Sequence, residues 1–372
     1  MRVIIAAAGT AGHINPGLAI ANKIKEEDED SEIIFIGTQR GLENDLVPRA
    51  GYELKTIDAY GLSKSISIKN FSNMFKTFKS AGTAKKIITE FKPDIIIGTG
   101  GYICGPVMTV GHKLGIPTLL HESNAWPGKA VRMLSKKVDK ILLGFEEAGE
   151  RLETKEKLVF TGTPVKIRDL NLTDSKKEQC IKKLAFDIYR PVVLVFGGSQ
   201  GAKKINDTMM DLIRKKINNN YQIVWATGPK QYDEVKEILA KENIDIEMLN
   251  GIRVMPYIYN MEEIMNIASV LVCRSGAMTV SEVIRVGKAA IFIPLPGVSE
   301  NHQEYNARVL EKVGSARVIL NNELTAEKLN DNLNEILSSK DNLRQMGINA
   351  KMLDVSNVEQ KIYDEITKLV EK

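Results

Sequence analysis

The stretch Leu271–Glu282, LVCRSGAMTVSE, joins an apolar run to a small-residue turn and a helical pattern. Val270–Cys273 predicts a buried strand that breaks at Ser275-Gly276 and continues as a helix with Glu282 on its second turn. The first N–H groups of such a helix attract phosphate, and an acid one to two turns along can bind ribose hydroxyls. The stretch therefore predicts a nucleoside diphosphate site. An ordinary buried strand and helix joined by a tight turn fits the pattern equally well.

The bulk composition predicts a two-domain globular protein. The chain has 372 residues, of which 43% are hydrophobic and 26% charged, with a net charge of +4. The N-terminal apolar run is too short for a signal peptide, and no stretch reaches the roughly 18 apolar residues of a spanning helix, so we expect a cytoplasmic protein that can still touch a membrane. Cys104, Cys180 and Cys273 lack metal-ligand or CxxC spacing, so reduced thiols are expected.

Three glycine-containing loops follow predicted strands in the first half of the chain. They are AAGTAGHINPG (Ala7–Gly17), GTGGYICGP (Gly98–Pro106) and HESNAWPG (His121–Gly128). Strands that alternate with helices predict a parallel doubly wound sheet, whose ligands bind at the carboxyl edge where these loops gather. His13 lies in the first loop, where a ligand would be. A structural role for His13, as a hydrogen bonder that fixes the loop, is the alternative.

The pattern restarts after a polar segment, Lys166–Lys177, which we interpret as an interdomain linker. The restart at Pro191, PVVLVFGGSQGAKKIN, is similar to the first unit and predicts a second Rossmann-like half, and the segment from Leu324 onward reads as helices. Neither GxGxxG spacing nor a GKS or GKT motif is present, which argues against a dinucleotide oxidoreductase or a P-loop protein. A nucleotide-sugar transferase needs a diphosphate site and a base. Ser199, the amides near Ala277 and His13 are candidates.

A lysine-rich stretch lies between these units. From Ala59 to Thr89 there are six lysines and no acid. An apolar helix stripe bordered by lysines is typical of a helix that lies in an anionic membrane interface. A core-facing helix with solvated lysines fits equally well. The predicted patch consists of Ile68, Phe71, Met74, Phe75 and Phe78 with Lys69, Lys76 and Lys79.

The motifs together are similar to those of a known family. The chain resembles, essentially from end to end, the peptidoglycan N-acetylglucosaminyltransferases of the GT-B glycosyltransferases. Any one motif is a modest signal, but their order and spacing are specific. The resemblance rests on GTAGHINPGLA (Gly9–Ala19), GGYICGP (Gly100–Pro106), HESNAWPG (His121–Gly128), GTPV (Gly162–Val165), GGSQGAKKIN (Gly197–Asn206) and CRSGAMTVSE (Cys273–Glu282).

The resemblance implies a fold, a domain division and a reaction. The fold is α/β GT-B, with two Rossmann-like doubly wound parallel-sheet domains that face each other across a cleft. Residues 1–165 would bind the acceptor and dock on the membrane, residues 166–352 would bind UDP-GlcNAc, and the helix in 353–372 would pack back on the N-terminal domain. The hexosyltransferase would move GlcNAc from UDP-GlcNAc to the C4 hydroxyl of MurNAc in undecaprenyl-pyrophosphoryl-MurNAc-pentapeptide (lipid I), with inversion.

The resemblance also implies cofactors, partners and a location. It implies no metal or other cofactor, with UDP-GlcNAc as the donor substrate. The expected partners are lipid I, the anionic inner leaflet, and proteins of cell-wall synthesis or division, with no nucleic acid. The expected location is the cytoplasmic face of the cell membrane, where the protein would be peripheral.

Site roles follow from the same resemblance. The catalytic residues would be His13 and Glu282, and the acceptor would meet His13, Gly101 and Tyr102. Ile258 would meet the uracil, Ala277, Met278 and Thr279 the phosphates, Glu282 the ribose, and Asn124 and Gln303 the sugar. The other predicted donor-binding residues are Thr10, Ala11, Gly12, Lys166, Ser199 and Asn206.

The chain departs from the family pattern at three places. Ala8 and Ala11 replace two glycines of the first loop, which is tolerated unless φ is positive. Lys166 replaces an arginine and loses its bidentate fork, so its donor contact is in doubt. Ser123 stands where glutamine is common, and no role is assigned to it.

Three rival functions stay open on the sequence alone. Another lipid-directed GT-B transferase, such as a diacylglycerol glucosyltransferase, would share the UDP site, so GGYICGP and HESN are the discriminating motifs. A UDP-GlcNAc 2-epimerase would share fold and ligand without a lipid acceptor. A noncatalytic UDP-sugar binder is disfavoured by the presence of both His13 and Glu282.

Overall fold

The structure, a computed structural model, describes residues 1–59 and 68–371, without the side chains of 68–79 and 299. The chain divides into two compact units. Unit 1 comprises Met1–Lys166 and Val355–Lys372, and unit 2 comprises Ile167–Asp354. Each unit is built around one parallel sheet, which confirms the predicted α/β fold class.

Unit 1 contains a seven-stranded sheet in the order β3-β2-β1-β4-β5-β6-β7. Its inner strands β1, β2, β4, β5 and β6 are mostly apolar and buried, as is typical of parallel sheets covered by helices, whereas the edge strands β3 and β7 are partly exposed. The strands are β1 (Arg2–Ala7), β2 (Glu32–Gly37), β3 (Glu53–Thr56), β4 (Ile95–Gly100), β5 (Thr118–Glu122), β6 (Lys140–Leu143) and β7 (Leu158–Phe160). The helices before the linker are α1 (Ala11–Glu27), α2 (Glu43–Arg49), α3 (Ile68–Phe91), α4 (Cys104–Lys113), α5 (Lys129–Leu134) and α6 (Glu146–Gly149).

Unit 2 contains a six-stranded sheet in the order β10-β9-β8-β11-β12-β13. Its strands are β8 (Val192–Phe196), β9 (Gln222–Ala226), β10 (Ile252–Met255), β11 (Val270–Cys273), β12 (Ala289–Phe292) and β13 (Ala316–Val318). Its helices are α7 (Asp174–Lys183), α8 (Lys203–Lys215), α9 (Pro229–Lys241), α10 (Met261–Ile267), α11 (Ala277–Val286), α12 (His302–Lys312), α13 (Ala326–Leu337) and α14 (Lys340–Lys351). The strand order changes direction at β8 and β11, the kind of position where open α/β sheets bind ligands.

The predicted linker is shorter than expected. Helix α7 begins at Asp174 inside the polar segment 166–177, with the Thr173 hydroxyl accepting from Lys176 N as a cap. The segment reads as polar because none of the residues of α7 is fully buried. The last four residues of the predicted linker, 174–177, therefore belong to α7, and the polar stretch is partly a surface helix.

The last helix, α15 (Val358–Val370), belongs to the core of unit 1. Its apolar stripe contains Val358, Ile362 and Ile366, which pack in one cluster with Ile14 and Ile24 of α1. The i, i+4, i+8 spacing places these three side chains on one face of the helix. Because each is at most 2% exposed, each stabilises the packing by roughly 1.5–3 kcal/mol. Helix α1, which follows the first glycine loop, is thus held from the far end of the sequence.

Candidate functional site

In unit 1, the loop between β1 and α1 is a sharp turn at Gly9. Gly9 has φ +96°, and α1 begins immediately afterwards at Ala11 with Thr10 as its exposed N-cap. The first turn of α1 contains no acidic residue, so its amides and dipole favour an anion. Neither Ala8 nor Ala11 is among the residues with positive φ. The two alanine departures are therefore compatible with the backbone of this loop.

His13 lies at the start of α1 with its ring in a defined orientation. Its Nδ1 is 3.0 Å from the carbonyl oxygen of Ala8, and its own carbonyl accepts the Thr99 hydroxyl at 2.7 Å. A carbonyl can only accept, so Nδ1 must carry the proton in that contact. In the neutral imidazole Nε2 is then the basic nitrogen. This is the tautomer that a general base needs when it removes a proton through Nε2.

The second glycine loop forms the seat of the His13 ring. Gly100 and Gly101 have φ of +120° and +82° at the end of β4. A Cβ on Gly100 would lie 2.5 Å from Cδ2 of His13, and one on Gly101 would lie 2.8 Å from the carbonyl oxygen of Ala8. Tyr102 follows with 37% of its surface exposed. Of the predicted acceptor residues, Gly101 thus adjoins His13, and Tyr102 follows it in the chain.

The third loop is organised by a buried acid. Glu122 is 4% exposed; its Oε1 accepts from the backbone and side-chain nitrogens of Asn124, and its Oε2 accepts from Gly128 N at 2.7 Å. Burial raises the pKa of Glu122 even though these bonds oppose the shift. Glu122 therefore fixes the orientation of Asn124, the residue predicted to meet the donor sugar.

His121 has a structural role in the same loop. It is fully buried, with Nε2 3.1 Å from the carbonyl of Gly162 and Nδ1 3.2 Å from the hydroxyl of Ser123. Burial lowers the pKa of His121 to about 4, so the ring is neutral at physiological pH. Ser123, to which the sequence assigned no role, thus completes the hydrogen bonding of a core histidine.

In unit 2, the organising stretch folds as predicted. Strand β11 ends at Cys273, Gly276 is the N-cap of α11 with φ −60° and ψ 147°, and the helix begins at Ala277. No acid lies in its first turn, which includes Met278 and Thr279. The amino end of α11 therefore has the geometry and charge expected for phosphate binding.

Arg274 is a residue that sequence reasoning missed. It is 9% exposed, and one guanidinium nitrogen donates to the carbonyls of Ile293 and Pro294 at 2.9 and 3.2 Å. Burial lowers the pKa of Arg274 to about 10, so it stays cationic at neutral pH. Its charge therefore lies in the turn that leads into α11. Its position directly before Ser275-Gly276 was the available signal, since a cation beside a predicted phosphate loop favours an anion.

Glu282 is a partly buried acid whose carboxylate has no hydrogen-bond donor among the described residues. Burial raises its pKa to about 7, and within the described residues its carboxylate makes no hydrogen bond or ion pair. Partial burial without protein donors disfavours the ionised carboxylate, and a ligand hydroxyl could donate a hydrogen bond to it. The arrangement suits the predicted ribose contact.

Asn206 holds the turn at Thr227, against which the GGSQG loop of unit 2 packs. Asn206 is 1% exposed, donates to the Thr227 carbonyl at 2.8 Å and to Gln231, and accepts from Trp225 Nε1 at 3.0 Å. A Cβ on Gly201 would collide with the Thr227 carbonyl, so the two loops are in close contact. The structure supports a loop-holding role for Asn206. Ser199, by contrast, is exposed at the tip of the loop.

The remaining predicted donor residues differ in exposure. Ile258 is 2% exposed, while its neighbours Tyr257 and Tyr259 are 44% and 92% exposed, so the accessible side chains at the predicted uracil position are the two tyrosines. Gln303 accepts from Leu295 N at 2.9 Å through its amide oxygen, which leaves its NH₂ group as the donor for a sugar hydroxyl. Lys166 is exposed at the end of the first segment of unit 1.

The predicted membrane patch lies outside what the structure describes at side-chain level. Residues 68–79 form the first half of α3, but the side chains of Ile68, Phe71, Met74, Phe75 and Phe78, with Lys69, Lys76 and Lys79, are not among the described ones. Across residues 1–59 and 68–371, no helix has both the length and the apolar character needed to cross a membrane. The same residues contain no cluster of three or more His, Cys, Asp or Glu that could hold a metal ion.

Comparison with known proteins identifies the family. Residues 3–143 match the glycosyltransferase family 28 N-terminal domain, and residues 192–362 match the C-terminal domain of the same family. A protein of Thermoanaerobacter sp. (strain X514), named UDP-N-acetylglucosamine--N-acetylmuramyl-(pentapeptide) pyrophosphoryl-undecaprenol N-acetylglucosamine transferase, is 42% identical over 98% of both chains. This chain belongs to the MurG family of glycosyltransferases. A protein of Clostridioides difficile (strain 630) with the same name is 38% identical over 99% of this chain and 89% of its own.

Solved structures agree with the MurG assignment. The crystal structure of MurG from Acinetobacter baumannii matches with a TM-score of 0.79 and 28% identity over 99% of both chains. The S. aureus MnaA–UDP co-structure matches at 0.68 with 14% identity, over 100% of this chain and 97% of its own. The second likeness shows a shared fold alone. The first supports the predicted GT-B architecture and the predicted family.

Proposed function

We propose that this chain is a hexosyltransferase that moves GlcNAc from UDP-GlcNAc to the C4 hydroxyl of MurNAc in lipid I and so makes lipid II for peptidoglycan synthesis. The observation that carries the proposal is the identity of about 40% over the full length with relatives named for that transfer. The rival epimerase function has no comparable support, because the structure of a putative UDP-N-acetylglucosamine 2-epimerase from Listeria monocytogenes matches at only 12% identity and shares the fold alone.

The donor is proposed to bind in unit 2. The amino end of α11, from Ala277 to Thr279, would hold the diphosphate, with the buried Arg274 adding positive charge. Glu282 would accept hydrogen bonds from the ribose, and the Gln303 NH₂ group would meet the sugar. These amides and cations would stabilise the departing UDP, so we propose a reaction without a metal ion or other cofactor.

His13 is proposed as the general base. Its Nε2, made basic by the Nδ1–H contact to Ala8, would take the proton of the acceptor C4 hydroxyl while that oxygen attacks C1 of GlcNAc. The C1–O bond to UDP breaks as the new bond forms, which inverts the anomeric carbon and gives a β-1,4 link. Gly101 and Tyr102 beside His13 would line the acceptor.

The lipid acceptor motivates a proposed location at the cytoplasmic face of the cell membrane, with the protein peripheral. The Phe71, Phe75 and Phe78 stripe with its flanking lysines is the sequence feature that would dock on anionic lipid. Serine at these three phenylalanines should weaken binding to anionic vesicles and leave turnover of a soluble short-chain acceptor largely intact. Equal loss of vesicle binding and of turnover would instead show that these residues belong to the hydrophobic core. Contacts with other proteins of cell-wall synthesis or division are part of the same proposal.

The reaction is tested with radiolabelled UDP-GlcNAc and a short-chain lipid I analogue in the presence of EDTA. We expect product from the wild type and a loss of at least about a hundredfold in His13→Ala, the scale of a lost general base. His112→Ala is the matched control, because His112 is exposed on α4 and should be silent. Equal rates in His13→Ala would remove His13 as the base. UDP-GlcNAc consumption without lipid product would favour epimerisation or hydrolysis.

A further inference from the structure

Glu43 is a fully buried acid outside every motif assigned above. It is 0% exposed and opens α2, and the proposed mechanism does not use it. The sequence around it, GTQRGLE (Gly37–Glu43), contains two glycines whose role the sequence alone does not explain. The Glu43 side chain leaves no room for a Cβ at either glycine. A Cβ on Gly37 would lie 2.7 Å from Cγ of Glu43, and one on Gly41 would overlap the Glu43 carboxylate. The β2–α2 loop is therefore shaped around this side chain.

The carboxylate of Glu43 joins two loops. Its Oε2 accepts from Gly9 N at 2.9 Å, and its Oε1 accepts from the backbone N and the hydroxyl of Thr38 at 2.9 and 2.7 Å. Leu42 N also contacts the Gly9 carbonyl at 3.4 Å. Burial alone would raise the pKa of Glu43, but these donors outweigh it and hold the pKa below its ordinary value. The group is an anion at neutral pH.

Gly9 is the turn that sets the position of His13. It has φ +96° and lies between Ala8, whose carbonyl contacts His13 Nδ1, and Thr10, the N-cap of α1. A change in the backbone at Gly9 would therefore move the Ala8 carbonyl, and with it the contact that fixes the His13 tautomer and ring direction. Misplacement of a base by about 1 Å is enough to cost a large factor in rate.

We propose that Glu43 is a positioning residue for the transfer reaction, which clamps the Gly9 turn through its carboxylate and thereby holds His13 in its working orientation. This inference rests on the proposed function for its catalytic part. The clamp itself acts on the backbone of Gly9, so it can be measured without turnover. The partners of Glu43, Gly9 and Thr38, both belong to unit 1, so the UDP contacts proposed for unit 2 should not depend on Glu43.

The test compares Glu43→Gln with Asp45→Asn. Glutamine keeps the shape of Glu43, but its single oxygen cannot satisfy both Gly9 N and Thr38 N. Asp45 is an exposed acid on the same helix that pairs with Arg49, so Asp45→Asn removes the same charge without touching Gly9. Thr38→Val is a second variant, which keeps the carboxylate and removes only the hydroxyl donor.

Three readouts are needed: kcat and KM for each substrate, UDP affinity by calorimetry, and hydrogen exchange of the Gly9 amide. We expect Glu43→Gln to lower kcat by about tenfold or more, to change UDP affinity much less than kcat, and to speed Gly9 exchange. Thr38→Val should lie between Glu43→Gln and the wild type, and Asp45→Asn should match the wild type.

The proposal is overturned if Glu43→Gln keeps its kcat per folded molecule and only its melting temperature falls, because Glu43 would then be structural. It is also overturned if Gly9 exchange is unchanged. Absence of product from the wild type would instead overturn the proposed function, and Gly9 exchange would then decide the clamp by itself.

Discussion

The imidazole of His13 lies so close to Gly100 that a single added methyl group would meet it at 2.5 Å. The contact joins the first glycine loop, which carries His13, to the second, which ends β4. Gly100 also has φ +120°, a conformation that L side chains rarely adopt. The glycine pair at 100–101 therefore leaves the space that the ring of His13, the proposed base, occupies.

Gly100→Ala should reduce kcat strongly by displacing the His13 ring. The loss in kcat should approach that of His13→Ala, which is about a hundredfold. The matched control is Gly105→Ala on α4, where a new methyl group meets nothing within 4 Å. That control should retain activity and gain up to about 1 kcal/mol of helix stability. Steady-state kinetics and denaturant unfolding of both variants check the pair. Full activity in Gly100→Ala would show that the His13 position tolerates displacement.

Glu282→Gln should stabilise the free protein at pH 8 and weaken UDP binding. Burial raises the pKa of Glu282 from its ordinary value near 4.5 to about 7. The stability of the wild type therefore falls as the pH rises through this range, because the folded protein holds the proton more tightly than the unfolded chain does. Glutamine never ionises and avoids that cost. The melting temperature of Glu282→Gln should therefore exceed that of the wild type at pH 8, and the two should converge at pH 5. A pH-independent difference would contradict the burial argument.

His121→Gln should change the pH dependence of unfolding. The pKa of buried His121 is lowered to about 4, while the unfolded chain binds that proton near pH 6.5. Stability is therefore lost as pH falls through this window, and the contribution is on the order of a few kcal/mol. Urea unfolding should show that the free energy of unfolding falls less between pH 7 and pH 4.5 in His121→Gln than in the wild type. His112→Gln, at an exposed position, should keep the wild-type slope.

Asn206→Ala should destabilise unit 2 by roughly 2–4 kcal/mol, because it leaves Trp225 Nε1 and the Thr227 carbonyl without their partner in a buried site. UDP affinity should fall because the turn at Thr227, against which the GGSQG loop packs, loses its hydrogen bond from Asn206. Asp207→Asn, at the next position on the same helix, is the matched control, since Asp207 makes only a partly exposed ion pair with Lys203. Denaturant unfolding and UDP calorimetry measure both effects. Unchanged stability would mean that the Asn206 amide is not needed.

The sequence predicted local elements better than long-range contacts. Strand β11 and the start of α11 were placed correctly, because an apolar run followed by a small-residue turn defines them within a dozen residues. Arg274 and Glu43 were missed because their roles depend on Ile293 and Gly9, which are distant in the chain. Arg274 has a local signal in its position before Ser275-Gly276, whereas no local pattern separates Glu43 from an ordinary surface charge.

Burial explains the other differences. Ile258 and Asn206 were assigned to ligands by resemblance, and the structure finds them 2% and 1% exposed. A buried asparagine with three protein partners can position a loop. The local sequence does not distinguish such an asparagine from one that contacts a ligand. Exposure depends on which neighbours pack over a residue, and this information is not local in sequence.

The place of α15 in the core of unit 1 has a consequence for biosynthesis. Its residues follow those of unit 2 in the chain, so they leave the ribosome after Ile167–Asp354 have all been made. Unit 2 is continuous and can complete its sheet first, whereas the α1 face of unit 1 stays uncovered until Val358, Ile362 and Ile366 emerge. The half that carries His13 is therefore the last to mature. A nascent chain stalled before α15 would display its apolar α1 surface to chaperones.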